Sequence, residues 1–289
     1  MNMFFPGFGE APSAERGLEQ PIKDLIERLI PSALGPASSG ILESKETDEG
    51  VLSRRADYQH IWGELTQRNL ESVFKVAAES PRPKEVPATL PETGWLMFFM
   101  AHAGLAATES QQRAWGEVLG FEVAAPGSVG KRTLLMLSGL EDWELDLFRQ
   151  FSAFAFAFES GWRFVFEEDK VRREMWSYSR ESDLTHHWAE LGLLATDTLH
   201  AQVASLRGLE IGYGDKRWEI RPASQTPETV AVTATGHQGF SYRKYTAVGQ
   251  ELASAMKVKT YNGFARNVID ALNGVSGFDY VLKEARIEP

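Results

Sequence analysis

The chain has 289 residues, of which 43% are hydrophobic and 24% charged, and such values exclude wholesale disorder. Its formal net charge of −10 disfavours long-range attraction to nucleic acid or anionic lipid. The absence of cysteine excludes disulfides, thiolate catalysis and cysteine-ligated zinc. No apolar run is long enough to span a membrane as a helix, so we expect a cytoplasmic protein.

Residues 1–20 are rich in Gly, Pro and Ala and predict a flexible arm. The aromatic side chains on this arm are Phe4, Phe5 and Phe8. Exposed aromatic rings are costly, so they either dock on the chain's own core or bind a partner, a second copy of the chain or a lipid surface. Residues 21–52 predict a short amphipathic helix, apolar from Ile22 to Ile30 at helical spacing, and a linker.

Residues 53–160 predict a helical body. The expected helices are Ser53–Ser80, Trp95–Leu105, Ser110–Phe121, one carrying Leu134 to Leu140, and one beginning near Glu141. The first of these carries a predicted buried stripe that includes Leu65 and Leu70. In the third, Trp115, Val118 and Leu119 fall on one stripe and should be core. The phenylalanine-rich run that follows predicts a helix up to about Phe158 and a strand over Trp162–Phe166, with helix throughout as the alternative.

Residues 161–289 predict an α+β unit with a small antiparallel sheet, so the fold class is mainly α with a C-terminal α+β unit. The expected elements are a helix near 181–194, a short helix over 196–206, a hairpin at Gly214-Asp215, strands at Thr229–Thr235 and Phe240–Tyr245, a helix capped by Thr246, and a last helix over 261–272. The hairpin follows from its turn dipeptide.

The segment Gly127-Ser128-Val129-Gly130-Lys131-Arg132-Thr133 superficially resembles a phosphate loop. Its glycines are two residues apart instead of four, and Arg132 separates Lys131 from Thr133, so the P-loop spacing is missing. We interpret it as a helix start capped by Ser128. Free N–H groups there, with Lys131 and Arg132, could hold an anion or an acidic partner residue.

Two further basic residues, Arg243 and Lys244, are assigned to the same kind of contact, with an anion or an acidic partner residue. Both stand at the end of the predicted strand Phe240–Tyr245. These basic residues and the phenylalanines of the arm are the predicted binding residues.

No catalytic, cofactor or metal site is predicted. His186 and His187 are adjacent, so on a helix their rings diverge and cannot easily share one ion. Glu167-Glu168-Asp169 is interpreted as a solvated turn rather than a pair of catalytic carboxylates.

Two distant segments resemble the close of a winged-helix domain. Leu191-Gly192-Leu193-Leu194 resembles the end of its helix, and Thr246-Ala247-Val248-Gly249-Gln250-Glu251-Leu252 resembles the entry into the next. DNA binding would need a basic recognition helix, whereas the helix before Leu194 carries His186, His187 and Glu190. A winged-helix-like module for protein interaction is therefore favoured over one that binds DNA.

Several blocks also resemble one bacterial family. They are Arg68-Asn69-Leu70-Glu71-Ser72-Val73, Trp95-Leu96-Met97-Phe98-Phe99, the stretch from Gln111 to Val123, the stretch from Pro126 to Leu134, and the two winged-helix-like segments. They resemble the proteins catalogued as domain of unknown function 2806, with similar elements in abortive-infection alpha-like proteins. The resemblance spans roughly 60–272 and implies bacterial defence against phage, with no established active site to carry over.

We therefore expect a non-catalytic interaction protein of an anti-phage system, which binds a protein partner or a membrane surface or forms a homo-oligomer. A winged-helix DNA-binding regulator is the alternative, and a hydrolase with an unrecognised site is a third hypothesis.

Overall fold

The computed structural model describes residues 48–79, 90–179, 184–202, 209–214, 216–220 and 239–273. The chain divides into two compact units, Met1–Arg68 and Asn69–Pro289. In the first unit the described residues form the beginning of one long helix. The aromatic arm, the helix expected at Ile22–Ile30 and the strand expected at Thr229–Thr235 lie outside the described residues.

The described part of the chain is mainly helical, which confirms the predicted class. Its helices are α1 (Asp48–Ala78), α2 (Thr93–Ala103), α3 (Glu109–Ala124), α4 (Lys131–Gly139), α5 (Asp142–Ser152), α6 (Asp169–Tyr178), α7 (Thr185–Glu190), α8 (Ala247–Ala255) and α9 (Phe264–Asn273). None of the helices in this part of the chain has the length and apolar character needed to cross a membrane.

Aromatic rings of α2 and α3 form the centre of the helical core in the second unit. The rings of Phe99 and Trp95 stack with centroids 5.3 Å apart. The ring of Trp115 meets the Phe99 ring edge-on, also with centroids 5.3 Å apart. Trp115 is 2% exposed, so the prediction that it is core is confirmed. A Cβ on Gly116 would lie 2.7 Å from the carbonyl oxygen of Val73, so glycine permits α1 and α3 to approach closely.

The strands form one antiparallel sheet, as predicted for the C-terminal part. They are β1 (Phe156–Phe158), β2 (Arg163–Phe166), β3 (Leu199–Gln202), β4 (Leu209–Tyr213), β5 (Lys216–Ile220) and β6 (Gly239–Lys244). Their order across the sheet is β3-β6-β2-β1-β4-β5. The predicted hairpin is β4–β5, in which Tyr213 pairs with Lys216.

The prediction of a helix up to Phe158 is wrong. Helix α5 ends at Ser152, and β1 pairs with β2 so that Phe156 lies opposite Phe164. Phe158 and Phe164 stack with ring centroids 4.2 Å apart. Alternating phenylalanines bury one side of a strand, and here that periodicity overrides the helical spacing at the start of the run.

One other local prediction is wrong, and one helix was missed. The helix expected over 196–206 contains a strand instead, because Leu199–Gln202 pair with β6. Helix α6 was not predicted at all. Its buried side chains are Val171 and Met175, and two apolar residues in ten give little periodic signal.

The two winged-helix-like segments pack directly on each other. Thr246 caps α8 as predicted, since its Oγ1 accepts the Gly249 N–H at 3.1 Å, and the same hydroxyl donates to the Gly192 carbonyl at 2.6 Å. The Thr246 N–H donates to the Leu193 carbonyl at 3.0 Å. We call this contact of Gly192 and Leu193 with Thr246 and Gly249 the seam. It requires glycine at position 249, because a Cβ there would collide with the Leu193 carbonyl oxygen.

Candidate interaction surface

The loop before α4 is built around the carboxylate of Glu122. The N–H groups of Gly127 and Val129 donate to it at 2.6 and 2.9 Å, and Ser128 Oγ donates to it at 3.3 Å. The prediction that Ser128 caps α4 is wrong, because the N-cap is Gly130 and the serine hydroxyl bonds to Glu122. The donors of this loop therefore have an acceptor inside the protein.

The N-terminus of α4 also holds an acidic residue of the chain itself. The Gly130 N–H donates to Glu251 Oε2 at 2.7 Å, and the buried Thr133 hydroxyl donates to the same oxygen at 2.5 Å. A carboxylate at this position complements the partial positive charge of the helix end. Lys131 and Arg132 follow it with exposed side chains, so they remain free to face solvent or a partner.

Arg243 and Lys244 make contacts within the chain. Arg243 is 7% exposed, and its Nε donates to Glu167 Oε1 at 2.7 Å while Nη1 donates to the Thr196 carbonyl at 2.6 Å. The Lys244 ammonium lies 5.3 Å from the ring centroid of Trp162, within cation–π range. Both residues hold β6 to its surroundings, which leaves Lys131 and Arg132 as the exposed pair among the predicted basic residues.

The carboxylates at 167–169 do not form a solvated turn. Glu167 pairs with Arg243, and Glu168 Oε1 accepts the Ser241 N–H at 2.8 Å. Asp169 is the first residue of α6. The expectation is wrong because β6, more than seventy residues further along the chain, supplies partners that no local pattern reveals. Replacing Glu167 will therefore affect folding before it can report on catalysis.

The two adjacent histidines have different surroundings. His187 Nε2 lies 2.8 Å from Glu144 Oε1, and its ring centroid lies 5.2 Å from that of Trp143. His186 is exposed. Among the described residues, no group of three or more His, Asp or Glu is placed to hold a metal ion.

Two tyrosines near the sheet have raised pKa values. Burial raises the pKa of Tyr213 to about 12 and also raises the pKa of Tyr245. The Tyr213 hydroxyl donates to the Ala153 carbonyl at 2.8 Å and accepts the Tyr261 N–H at 2.9 Å. Both phenols stay protonated at neutral pH, so neither can act as a general base there.

A buried ion pair between α3 and α5 had no clear signal in the sequence. Arg149 Nη1 lies 2.7 Å from Glu117 Oε2, and Arg113 Nε lies 3.4 Å from Oε1 of the same carboxylate. The spacing of Arg113 and Glu117 on one helix was the local hint. Glu117 is buried, so the pair fixes the two helices against each other rather than offering a site.

Helix α2 is apolar on its exposed side as well as its buried side. The buried side consists of Trp95, Phe99 and Ala103. Leu96, Met97 and Met100 are exposed, Met97 at 68%, and their spacing puts them on one side of the helix. His102 is the sole ionisable residue in 93–108. We call Leu96, Met97 and Met100 the α2 face.

Exposed charges border the first turn of α2. A Cβ on Gly94 would lie 3.5 Å from Lys131 Nζ and 3.0 Å from Glu92 Oε1. Trp95 Nε1 donates to the Val129 carbonyl at 2.7 Å, which ties α2 to the loop that leads into Lys131. The α2 face and Lys131 thus belong to neighbouring elements of one unit.

The first unit has an exposed apolar stripe of its own on α1. Tyr58, Trp62 and Leu65 are exposed there, and the rings of Tyr58 and Trp62 stack with centroids 6.0 Å apart. The sequence pattern of this helix predicted a buried stripe including Leu65, and the exposure of that residue is a difference from the prediction.

The fold and these surfaces define a helical protein with a small open antiparallel sheet. Over residues 53–269 the chain matches the family described as Protein of unknown function (DUF2806), and it belongs to that family. No curated protein and no solved structure matches the chain.

Proposed function

We propose that this protein is a non-catalytic interaction protein that binds a partner protein through the α2 face. The observation that carries the proposal is the exposure of three neighbouring apolar side chains, Leu96, Met97 and Met100, on a helix whose other side is already packed into the core. Contiguous exposed apolar residues are characteristic of interaction sites.

The free energy of burial supports a partner interface larger than this face alone. Burying a large apolar side chain fully stabilises by about 1.5–3 kcal/mol, and these three are already partly covered, so together they supply about 3 kcal/mol. Association itself costs more than that. The α2 face would therefore be the central anchor of a larger contact.

We further propose that the setting is bacterial defence against phage, in the cytoplasm. This part rests on the resemblance of the sequence blocks to abortive-infection alpha-like proteins. The finer assignment of a winged-helix-like module in the C-terminal part is also proposed. It is supported by the seam, in which Gly192 and Thr246 join the two segments that carry that likeness.

The test is a pair of matched charge insertions. Met97→Glu places a carboxylate in the α2 face, and Val123→Glu places one at another exposed apolar position, on α3. Both variants should keep the melting temperature within about 2 °C, since substitutions at exposed sites cost little. We expect Met97→Glu to lose both partner cross-linking in cells and protection in a phage plating assay, and Val123→Glu to keep both.

If Met97→Glu retains the cross-linked partner, the α2 face is not the binding site. If cross-linking is lost while phage plating is the same with and without the protein, partner binding stands and the defence role is rejected. A salt-dependent gel shift with duplex DNA that survives Met97→Glu would favour the DNA-binding regulator instead.

A further inference from the structure

We infer that residues 22–30 pack onto α1 and cover an apolar stripe on that helix. The stripe consists of Tyr58, Ile61, Trp62 and Leu65, and we call it the α1 stripe. Both partners belong to the first unit, so the inference does not depend on the proposed function of the α2 face.

The α1 stripe is exposed although it has the pattern of a buried helix side. Its residues stand at i, i+3, i+4 and i+7 along α1, which places them on one side of the helix. Trp62 is 44% exposed and Leu65 is 40% exposed. The described residues of the first unit contain only the beginning of α1. Since helices in water are stabilised mainly by packing of an apolar side, we expect another segment to cover the stripe.

Residues 22–30 have an apolar pattern that fits this stripe. Their apolar positions fall at i, i+3, i+4, i+7 and i+8, and these are Ile22, Leu25, Ile26, Leu29 and Ile30. This spacing predicts a helix with one apolar side, which extends over about two turns, as the α1 stripe does. Two such helices pack by placing the ridges of one in the grooves of the other, at an axial separation of about 8–10 Å.

The chain between the two partners is long enough to join them. Residues 31–47 are a connection of 17 residues that ends at Asp48, the first residue of α1. At about 1.5 Å of rise per residue, Tyr58 lies about 15 Å along the helix from Asp48, and Leu65 lies about 26 Å from it. With the separation of packed helices added, the connection must span about 17 Å for an antiparallel pair and about 27 Å for a parallel one. A flexible chain of that length has a root-mean-square end-to-end distance of about 21–25 Å, so both orientations are within reach.

The short connection favours the chain's own segment over a second copy of the protein. A segment on a short flexible linker has an effective concentration of the order of millimolar, about a thousandfold above that of a second copy at micromolar concentration. Stable complexes usually bury about 800 Å² per partner, and coiled coils extend over about three to four heptads or more. The α1 stripe covers about two turns, which is too little for a stable dimer through this stripe alone.

The aromatic arm fits the α1 stripe less well than residues 22–30 do. Pro6 and Gly7 stand between Phe5 and Phe8. Proline and glycine both disfavour a helix interior, so the rings of the arm do not share one helical side. The ridge that the stripe requires is therefore available in residues 22–30 and not in the arm.

Charge has little part in this contact. Residues 22–30 contain two basic residues, Lys23 and Arg28, and two acidic residues, Asp24 and Glu27, so the segment has no net charge. The contact should therefore persist at high salt, unlike an association that depends on exposed ion pairs.

Fluorine NMR of the full chain labelled with 5-fluorotryptophan tests the inference. Each of the eight tryptophans gives one signal, and the variant Trp62→Phe assigns the signal of Trp62. A soluble gadolinium chelate broadens the signals of rings that reach solvent. Trp176 is exposed, whereas Trp115 and Trp188 are buried, so these three rings are internal references. We expect Trp62 to be protected as Trp115 is, rather than broadened as Trp176 is.

A matched pair of variants identifies the covering segment. The double variant Ile26→Asp, Leu29→Asp places two charges on the apolar side of the segment, and we expect the broadening of Trp62 to rise to that of Trp176. Arg28→Glu makes the same change in net charge at a polar position of the segment, and Trp62 should stay protected. The two buried references should stay protected in both variants.

Four outcomes would overturn the inference. The first is a wild-type Trp62 signal as strongly broadened as that of Trp176, and this measurement needs no variant. The second is protection that disappears on dilution, which assigns the stripe to a second copy, because docking within one chain does not depend on concentration. The third is protection that survives Ile26→Asp, Leu29→Asp; if deletion of residues 1–9 then removes it, the arm covers the stripe. The fourth is an equal loss of protection in the double variant and in Arg28→Glu, which would make the effect one of charge.

Discussion

Two glutamates of the chain occupy hydrogen-bond donors of the segment between α3 and α4. Glu122 accepts from the loop that follows its helix, and Glu251 accepts from the start of α4. The sequence indicated that an anion or an acidic partner residue would suit the donors at the start of α4. It could not indicate that the acids are internal, because Glu251 is more than one hundred residues further along the chain and only the tertiary fold brings it there.

The first prediction at this scale concerns Trp115. Its indole is buried between α2 and α3, so Trp115→Ala removes buried area and leaves a cavity. We expect the free energy of unfolding to fall by about 3–5 kcal/mol, measured by urea denaturation. Trp176→Ala, at an exposed tryptophan, is the control and should change it by less than about 1 kcal/mol. Equal effects of the two substitutions would contradict the assignment of Trp115 to the core.

The second prediction at the residue scale concerns the stability that Tyr213 contributes at alkaline pH. Its folded-state pKa of about 12 lies above the value of about 10 in an unfolded chain, so the folded state favours the protonated phenol. That stabilisation is fully present below about pH 10 and is lost as the pH rises towards about 12. Tyr213→Phe should be less stable at pH 7, since it loses the hydrogen bonds to Ala153 and Tyr261.

Between pH 9 and pH 11 the melting temperature of the wild type should therefore fall more than that of Tyr213→Phe. Thermal unfolding followed by circular dichroism measures both curves. Parallel curves over this interval would mean that Tyr213 does not cause the alkaline loss.

At the scale of elements, periodicity predicted most helices and failed where contacts are non-local. Helices α2 and α3 lie close to the expected ranges because each buries an apolar stripe, whereas α5 begins as expected and ends at Ser152, well before Phe158. Strand β3 was predicted as helix, since its single neighbour in the described sheet, β6, is distant in sequence. Helix α6 was missed because few of its residues are buried.

The seam provides a prediction about how elements join. Gly249→Ala should place a methyl group against the Leu193 carbonyl and reduce stability by about 3 kcal/mol. Gly63→Ala is the matched control within a helix, because nothing lies within 4 Å of a Cβ at Gly63; it should be neutral or stabilising by up to about 1 kcal/mol. Urea denaturation compares the two. A Gly249→Ala variant as stable as wild type would show that α8 and the turn at Leu193 can separate at little cost.

At the scale of the whole molecule, the chain combines a strongly negative net charge with an apolar exposed face. The sequence carried a signal for that face, since residues 93–108 are almost free of charge and a helix that is apolar on all sides is normally buried on all sides. Only the structure shows that one side of this helix is exposed, because burial of Trp95 and Phe99 fixes which side turns outward.

The order of strands in the sheet bears on how the protein is made. β6 lies between β3 and β2, so it closes the sheet although it is the last strand of the described chain to leave the ribosome. After β2 is complete, about 70 more residues must be added, which takes roughly 4–14 s at about 5–20 residues per second. During that time β2 has an unpaired edge next to a run of phenylalanines, and β3 lacks its one partner among the described strands. Nascent chains of this protein should therefore require chaperone protection most strongly while residues 167–238 are being synthesised.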